Sequence, residues 1–307
     1  MGSEDITSVQ QPHTPEDISM ASILVTGSSK GIGMATALEL ARAGHTVHAT
    51  MRNPDGAPEL ANIAKQEGLP IAVSAMDVDS DASVAEGIAA IEKTSGPLDV
   101  LVNNAGIERR GSTEELPLPE VRAVMETNYF GALRCIQAVM PGMRGRKRGC
   151  IINVTSVSGK ISASPLGAYS ASKFALEAIS EALAHEARMF NIRVAIVQPG
   201  IIDTAMAQRI GETPGASAYP HARRMAGLFA ATLKNPPSAT LVGERIREII
   251  ESGTWKLRHP VGPTAEPFLQ WRAAMNDEQW VEWGSADDAT WYQRVQTDFG
   301  LDARLPE

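Results

Sequence analysis

A short apolar run that feeds directly into a glycine-rich turn and then a helix restricts the fold of this chain more than any other feature. Ile23-Leu24-Val25 reads as a buried strand, and Thr26-Gly27-Ser28-Ser29-Lys30-Gly31-Ile32-Gly33 as the turn. Gly31 to Ala43 then carries helical apolar spacing, with Gly44 as its stop. The same alternation continues along the chain. Further strands are predicted at His45–Met51, Ile71–Met76, Leu98–Val102, Cys150–Val154 and Arg193–Val197, and helices at Glu59–Glu67, Asp81–Lys93, Leu118–Met140 and Ala168–Phe190. Strands that are apolar on both faces and alternate with helices predict one α/β domain, doubly wound, in which helices cover both sides of a parallel sheet.

The glycine turn also carries chemistry. Free N–H groups and the positive dipole end of a helix N-terminus suit an anion, and glycines let a pyrophosphate come close. An ordinary tight strand-to-helix turn is the plainer reading, but its place at the first strand of such an alternation points to a dinucleotide. The end of the second strand bears on which one. It reads Met51-Arg52-Asn53, with no carboxylate before Asp55. A carboxylate there would hold ribose hydroxyls and repel a 2′-phosphate, whereas Arg52 and Lys30 present two cations to it. This favours NADP(H), with NAD(H) possible; two solvated surface cations are the bland alternative.

A second cluster follows. Tyr169 lies thirteen residues after Ser156, and Lys173 four residues further, one helical turn from Tyr169 on the same face. A free phenol is a poor acid-base group at neutral pH, and a neighbouring ammonium is expected to lower its pKa.

Composition excludes several classes. The 28 basic and 36 acidic side chains give a net charge of -8, which argues against a nucleic-acid surface. The basic stretch Arg144–Gly149 reads as a solvated loop. Two cysteines, Cys135 and Cys150, make neither a disulfide framework nor a zinc site by themselves, so no metal is expected and a reduced, cytoplasmic setting fits. No stretch is apolar enough to span a membrane. Residues 1–19 read as a disordered arm, 20–262 as the catalytic domain, and 263–307 as an extension packed on that domain or at an interface. Within the domain, 200–238 is rich in proline and glycine and reads as a long irregular substrate lid. Leu241–Glu251 is a helix, and Trp255–Arg258 a candidate last strand. All five tryptophans lie in the last 53 residues, where anchoring of the tail is preferred over substrate stacking, and Asn276 with Gln279 reads as a helix cap.

Taken in order, these motifs resemble the short-chain dehydrogenase/reductase family over about residues 21 to 262. Asp77-Val78 looks like the family's adenine-contacting pair, and Asn103-Asn104-Ala105-Gly106 like the motif that shapes its cofactor cleft. Asn128, Ser156, Tyr169 and Lys173 match its catalytic tetrad, and Pro199-Gly200-Ile201-Ile202-Asp203-Thr204 its nicotinamide-holding segment. The resemblance implies cofactor contacts at Gly27, Ser29, Lys30, Gly31, Ile32, Gly33, Arg52, Asp77, Val78, Asn104, Ala105, Gly106, Tyr169, Lys173, Pro199, Gly200, Ile202 and Thr204. It also implies hydride transfer between nicotinamide and a carbonyl or secondary alcohol, with Tyr169 as acid-base group and Asn128 positioning a water, and a homodimer or homotetramer.

Lys160, Ile161, Ser162, Leu166, Met206, Met225 and Phe229 are the candidate lining of the substrate site, and suit a medium-sized apolar substrate. The texture is similar to the branch acting on hydroxysteroids and retinoids, or to carbonyl reductases of broad range. An NAD-dependent alcohol dehydrogenase of the same family is the nearest competing reading. A silent dinucleotide sensor or a scaffold built on the tail is a reading of another class.

Overall fold

The computed structural model describes residues 20–235 and 237–305. The arm expected over 1–19 lies outside them. The sheet comprises β1 (Ser22–Thr26), β2 (Thr46–Met51), β3 (Ile71–Ala75), β4 (Val100–Asn103), β5 (Gly149–Val154), β6 (Ile192–Pro199) and β7 (Arg258–Val261). The order is β3-β2-β1-β4-β5-β6-β7, with every pair parallel. The register is set by fully buried runs, with Val25 opposite both Ala49 and Val102, and Ile152 opposite Ala195. Both edges differ from this centre. β3 is half exposed, and β7 carries Pro260, whose missing N–H an edge strand tolerates.

The helices are α1 (Gly31–Arg42), α2 (Glu59–Glu67), α3 (Asp81–Ser95), α4 (Leu118–Met125), α5 (Gly131–Arg146), α6 (Gly167–Arg188), α7 (Ala205–Gly211), α8 (His221–Thr232), α9 (Thr240–Glu251), α10 (Ala265–Ala273), α11 (Asp277–Ser285) and α12 (Asp288–Phe299). One core lies between the sheet and α1, α2 and α9, through Leu40, Leu60, Ile246 and Ile250. The other lies under α3, α5 and α6, through Ile88, Val139 and Leu183. Burying both sheet faces is what the two-sided apolar strands require. Strand order reverses between β1 and β4, which opens a crevice at the C-terminal ends of the strands. No helix among the described residues is long and apolar enough to cross a membrane.

Four sequence expectations change. The helix expected over Leu118–Met140 is interrupted by a π-helical turn at Glu126–Phe130, and its second half runs to Arg146 through Pro141. The basic stretch is therefore mostly the last turn of α5 rather than a loop, and Arg146 donates to the Leu98 carbonyl at 2.7 Å. The last strand starts at Arg258 instead of ending there, so Trp255 stays outside the sheet and stacks under Arg188, 3.9 Å from guanidinium carbon to ring centroid. About half of the segment 200–238 is helical, in α7 and α8, and α8 packs Leu228 against the tail.

The tail itself folds as three short helices. Asn276 and Gln279 form the expected reciprocal cap at the start of α11. Trp291, Val295 and Ala303 bury themselves against Leu228 of α8. Arg224 of α8 is almost fully buried there, donating to Asp288 at 2.7 Å and to the Ala286 carbonyl at 2.8 Å. Helix α8 and the tail thus share one apolar cluster.

Candidate active site

The glycine turn is held by β4 as much as by its own conformation. Asn104 donates its side-chain amide to the carbonyls of Thr26 and Gly27 at 2.8 and 3.1 Å. Thr26 Oγ1 accepts the backbone N–H groups of Asn104 and Ala105, both at 3.0 Å. This close docking explains two glycines directly. A Cβ on Gly27 would lie 2.6 Å from Ala105 Cα, and one on Gly33 would lie 2.4 Å from both the Asn104 amide and the Gly27 carbonyl. Asn103 continues the tie inward by donating to Asn153, which donates to Ser180 of α6. A polar ladder therefore runs from the turn to the helix that carries Tyr169.

In front of this turn runs a cleft of about 410 Å³. Lys30, Arg52, Asp77, Val78, Ser29, Gly31, Ile32, Gly106, Tyr169, Lys173 and Thr204 all line it. Its volume and the uncapped N-terminus of α1 in its lining fit a dinucleotide. Asp79 lines the same cleft. Burial raises its carboxyl pKa, a hydrogen bond from Thr127 opposes that rise, and Arg52 opposes it more weakly.

The four candidate catalytic side chains converge. The π-helical turn swings Asn128 inward, where its Oδ1 accepts from Ile107 N–H at 2.8 Å. Its Nδ2 donates to the Ile107 carbonyl and to Ser172 Oγ, both at 2.9 Å. Asn128 and Lys173 both flank Gly106: a Cβ there would lie 3.3 Å from Asn128 Oδ1 and 3.7 Å from Lys173 Nζ. Ser156, just beyond β5, accepts from Ser158 N–H at 3.1 Å. Lys173 Nζ donates to the Val154 carbonyl at 2.9 Å and sits 5.7 Å from the Tyr169 ring centroid.

The electrostatics differ from the sequence expectation. Burial pushes the Tyr169 phenol up to about 12, a hydrogen bond with Ser156 pulls the other way, and the Glu108 charge raises it further. Lys173 is brought down to about 8 by burial, with Glu177 opposing. Its ammonium is spent on a backbone carbonyl, so desolvation outweighs any lowering of the phenol by Lys173.

Beside the cleft lies an apolar pocket of about 320 Å³. Ile32, Thr155, Tyr169, Thr204 and Met206 line both cavities and form their common wall. Ser156 is in the apolar pocket, as are Pro199, Gly200 and Ile202. Those three were expected at the cofactor, and the structure sets them on the pocket side of the junction. Thr204 caps α7 by accepting from Ala207 N–H at 3.1 Å, which leaves its hydroxyl proton free to donate. Ile161, Ser162, Leu166, Met206, Met225 and Phe229 line the pocket as expected. Lys160 does not. It turns toward the buried Glu177 and the exposed Glu181, at 3.9 and 3.7 Å, because the two carboxylates attract it.

The short chain dehydrogenase pattern matches residues 21–215. The chain belongs to that family and is an oxidoreductase. It is 36% identical over 257 residues to a 3-ketodihydrosphingosine reductase of Bacteroides thetaiotaomicron, covering 76% of this chain and 92% of the relative. It is 41% identical over 187 residues to human retinol dehydrogenase 8, which covers 59% of each chain. A crystal structure of a short-chain dehydrogenase from Streptomyces avermitilis superposes with a TM-score of 0.74 at 31% identity, over 86% of this chain and 96% of that one.

Several residues around this family site escaped sequence reasoning. Glu108, two residues past Gly106, is 7% exposed and lines the cleft with one carboxylate oxygen unpartnered. Burial raises its pKa against the pull of Arg110, Arg209 and Arg109. Ser172 donates to the Tyr169 carbonyl at 2.7 Å while receiving Asn128. Glu177, one turn beyond Lys173, is 2% exposed and accepts from Thr155, Gln198 and Arg258 at 2.8, 3.0 and 2.9 Å. Its position one turn from Lys173 was the available signal. Four of the five tryptophans, Trp271, Trp280, Trp283 and Trp291, line the apolar pocket, and Trp291 and Trp283 also belong to the cluster that packs the tail on α8.

Proposed function

We propose that this family member is an NADP(H)-dependent carbonyl reductase or alcohol dehydrogenase acting on a mostly apolar substrate of medium size. The observation that carries the reading is the shared wall: Tyr169 faces a polar dinucleotide-sized cleft on one side and an apolar pocket on the other. A bound nicotinamide dinucleotide supplies or accepts the hydride. Every other function falls to the chain itself. Gly27, Ser29, Gly31, Ile32 and Gly33 would receive the pyrophosphate at the α1 N-terminus, and Asp77 and Val78 the adenine. Asn104, Ala105 and Gly106 would shape the floor, and Thr204, on the wall shared by cleft and pocket, would hold the carboxamide, with Pro199, Gly200 and Ile202 backing it from the pocket side. Lys30 and Arg52 would pair with the 2′-phosphate, which supports NADP(H) over NAD(H).

In the reductive direction Ser156 Oγ donates to the carbonyl oxygen as negative charge builds there. Tyr169 Oη gives its proton to that oxygen. A phenol held well above neutrality stays protonated, which suits a proton donor. Lys173 places a positive charge beside the phenolate left behind and anchors the nicotinamide ribose. Asn128 fixes the floor under Lys173 through Ile107 and Ser172, and so positions the water that returns a proton. A two-fold assembly through the helices around α4 to α6 fits the same reading.

The test is a screen of NADPH and NADH consumption over ketones, aldehydes and their alcohols. Tyr169→Phe should lose about 10²- to 10⁴-fold in turnover while binding the dinucleotide with near-normal affinity. Near-normal turnover in that variant would remove Tyr169 from the mechanism.

A further inference from the structure

The tail lies outside the stretch matched by the family pattern, which ends at residue 215, yet its Trp271, Trp280 and Trp283 line the same pocket as Ser156 and Tyr169. A group attached to a carbonyl held at Ser156 and Tyr169 therefore shares its pocket with these indoles. The three indoles form a corner. Trp271 meets Trp280 at 82° and Trp283 at 76°, with centroids 5.5 and 4.9 Å apart. Trp280 and Trp283 lie within 10° of parallel at 6.1 Å. Two of the three polar ends are already committed: Trp271 and Trp283 both donate their indole N–H to Asp298 Oδ2, at 3.2 and 3.0 Å.

We propose that this corner is a distal substrate subsite for a flat ring system, so that the preferred substrates carry an aromatic or fused-ring group beyond the reacting carbon. The inference rests on the carbonyl and alcohol reading above. With two of the three N–H groups tied to Asp298, the corner offers mainly π faces and C–H edges. A flat ring gains offset or edge-to-face contacts with such walls in addition to burial. A flexible alkyl chain gains burial alone and loses rotational freedom on entering. A cationic group is disfavoured, because Arg272 already sits over Trp280, 5.1 Å from its centroid.

The test compares two methyl ketones with equal numbers of carbons, 2-acetylnaphthalene and 2-dodecanone, with wild type, Trp280→Leu and Trp280→Phe. Trp280 is chosen because Trp271 and Trp283 hold Asp298 and Trp291 is buried in the tail cluster. Wild type should favour the aryl ketone by about tenfold in kcat/KM. Trp280→Leu should bring the two to about parity, mainly by raising KM for the aryl ketone, and Trp280→Phe should restore most of the preference. A wild type that prefers 2-dodecanone, or a leucine variant that loses both ketones equally, overturns the proposal. Equilibrium binding of 2-acetylnaphthalene, followed by calorimetry without turnover, separates the two levels of the argument. Tighter binding to wild type than to Trp280→Leu, with neither ketone reduced, leaves the subsite standing and removes the carbonyl and alcohol reading. Reduction of both ketones with no difference in binding removes the subsite and keeps the redox reading.

Discussion

The polar cleft and the apolar pocket meet at Tyr169, and they are built by opposite rules. The cleft is made of backbone held by short-range hydrogen bonds, and each tie involves a residue type with few substitutes. Asn104 needs both its amide and its carbonyl neighbours, and Gly33 tolerates no Cβ. The pocket is made mostly of apolar side chains drawn from distant stretches, among them the loop after β5, the end of β6, α7, α8 and the tail. What it requires is volume and shape, which many residue combinations supply. One half of the site is specified by geometry, the other by packing.

The sharpest way to break this contrast is to alter the cleft without touching the pocket. Arg52→Asp should shift the NADPH to NADH preference by about ten- to a hundredfold, because a charge-assisted contact is replaced by repulsion. KM for the apolar ketone should stay unchanged. Paired steady-state kinetics with both dinucleotides measure it, and an unchanged preference would mean that Arg52 does not read the phosphate.

A change confined to the pocket should have a smaller effect. A Cβ at Gly227 would come 1.7 Å from the Ala303 carbonyl oxygen, so Gly227→Ala must push the tail off α8. Overpacking of this kind costs about 1–3 kcal/mol. Thermal unfolding should register the loss, and KM for apolar ketones should rise while dinucleotide affinity holds. A matching fall in dinucleotide affinity would show that the two halves are not separable.

The smallest effect lies where they join. Glu108 raises the Tyr169 pKa through its negative charge, so Glu108→Gln should lower it. Reduction needs the phenol protonated, so its alkaline limb in a pH profile of kcat/KM should move to lower pH. Oxidation needs the phenolate and should gain activity at lower pH. A shift in the opposite direction would mean that Glu108 acts by some route other than its charge.

The same contrast governs what could be read in advance. The strands from β1 to β6 and the glycine turn were legible because local apolar runs and fixed spacings specify them. Tyr169, Lys173, Ser156 and Asn128 were legible by resemblance, and the structure brings them around one junction. The α7 and α8 helices were hidden by prolines and glycines at their ends, since their helical state depends on contacts with residues more than sixty positions away, such as Arg224 with Asp288. The π-helical turn that swings Asn128 inward leaves the apolar period of the flanking helices almost intact. Glu108 carried no spacing signal, and its weight comes only from burial beside Tyr169. Desolvation of Tyr169 was equally invisible, because it depends on everything packed around the ring.

The contact between Gly227 and Ala303 has a consequence for biosynthesis. A ribosome releases the chain from its N-terminus, so every residue lining the polar cleft, the last of them Arg209, emerges well before Trp271. A nascent chain can therefore complete its nucleotide-facing half while the opposite half still lacks a wall. The apolar pocket gains its tryptophan lining only after the polar cleft has its full set of residues, when Trp291 and Ala303 pack onto α8.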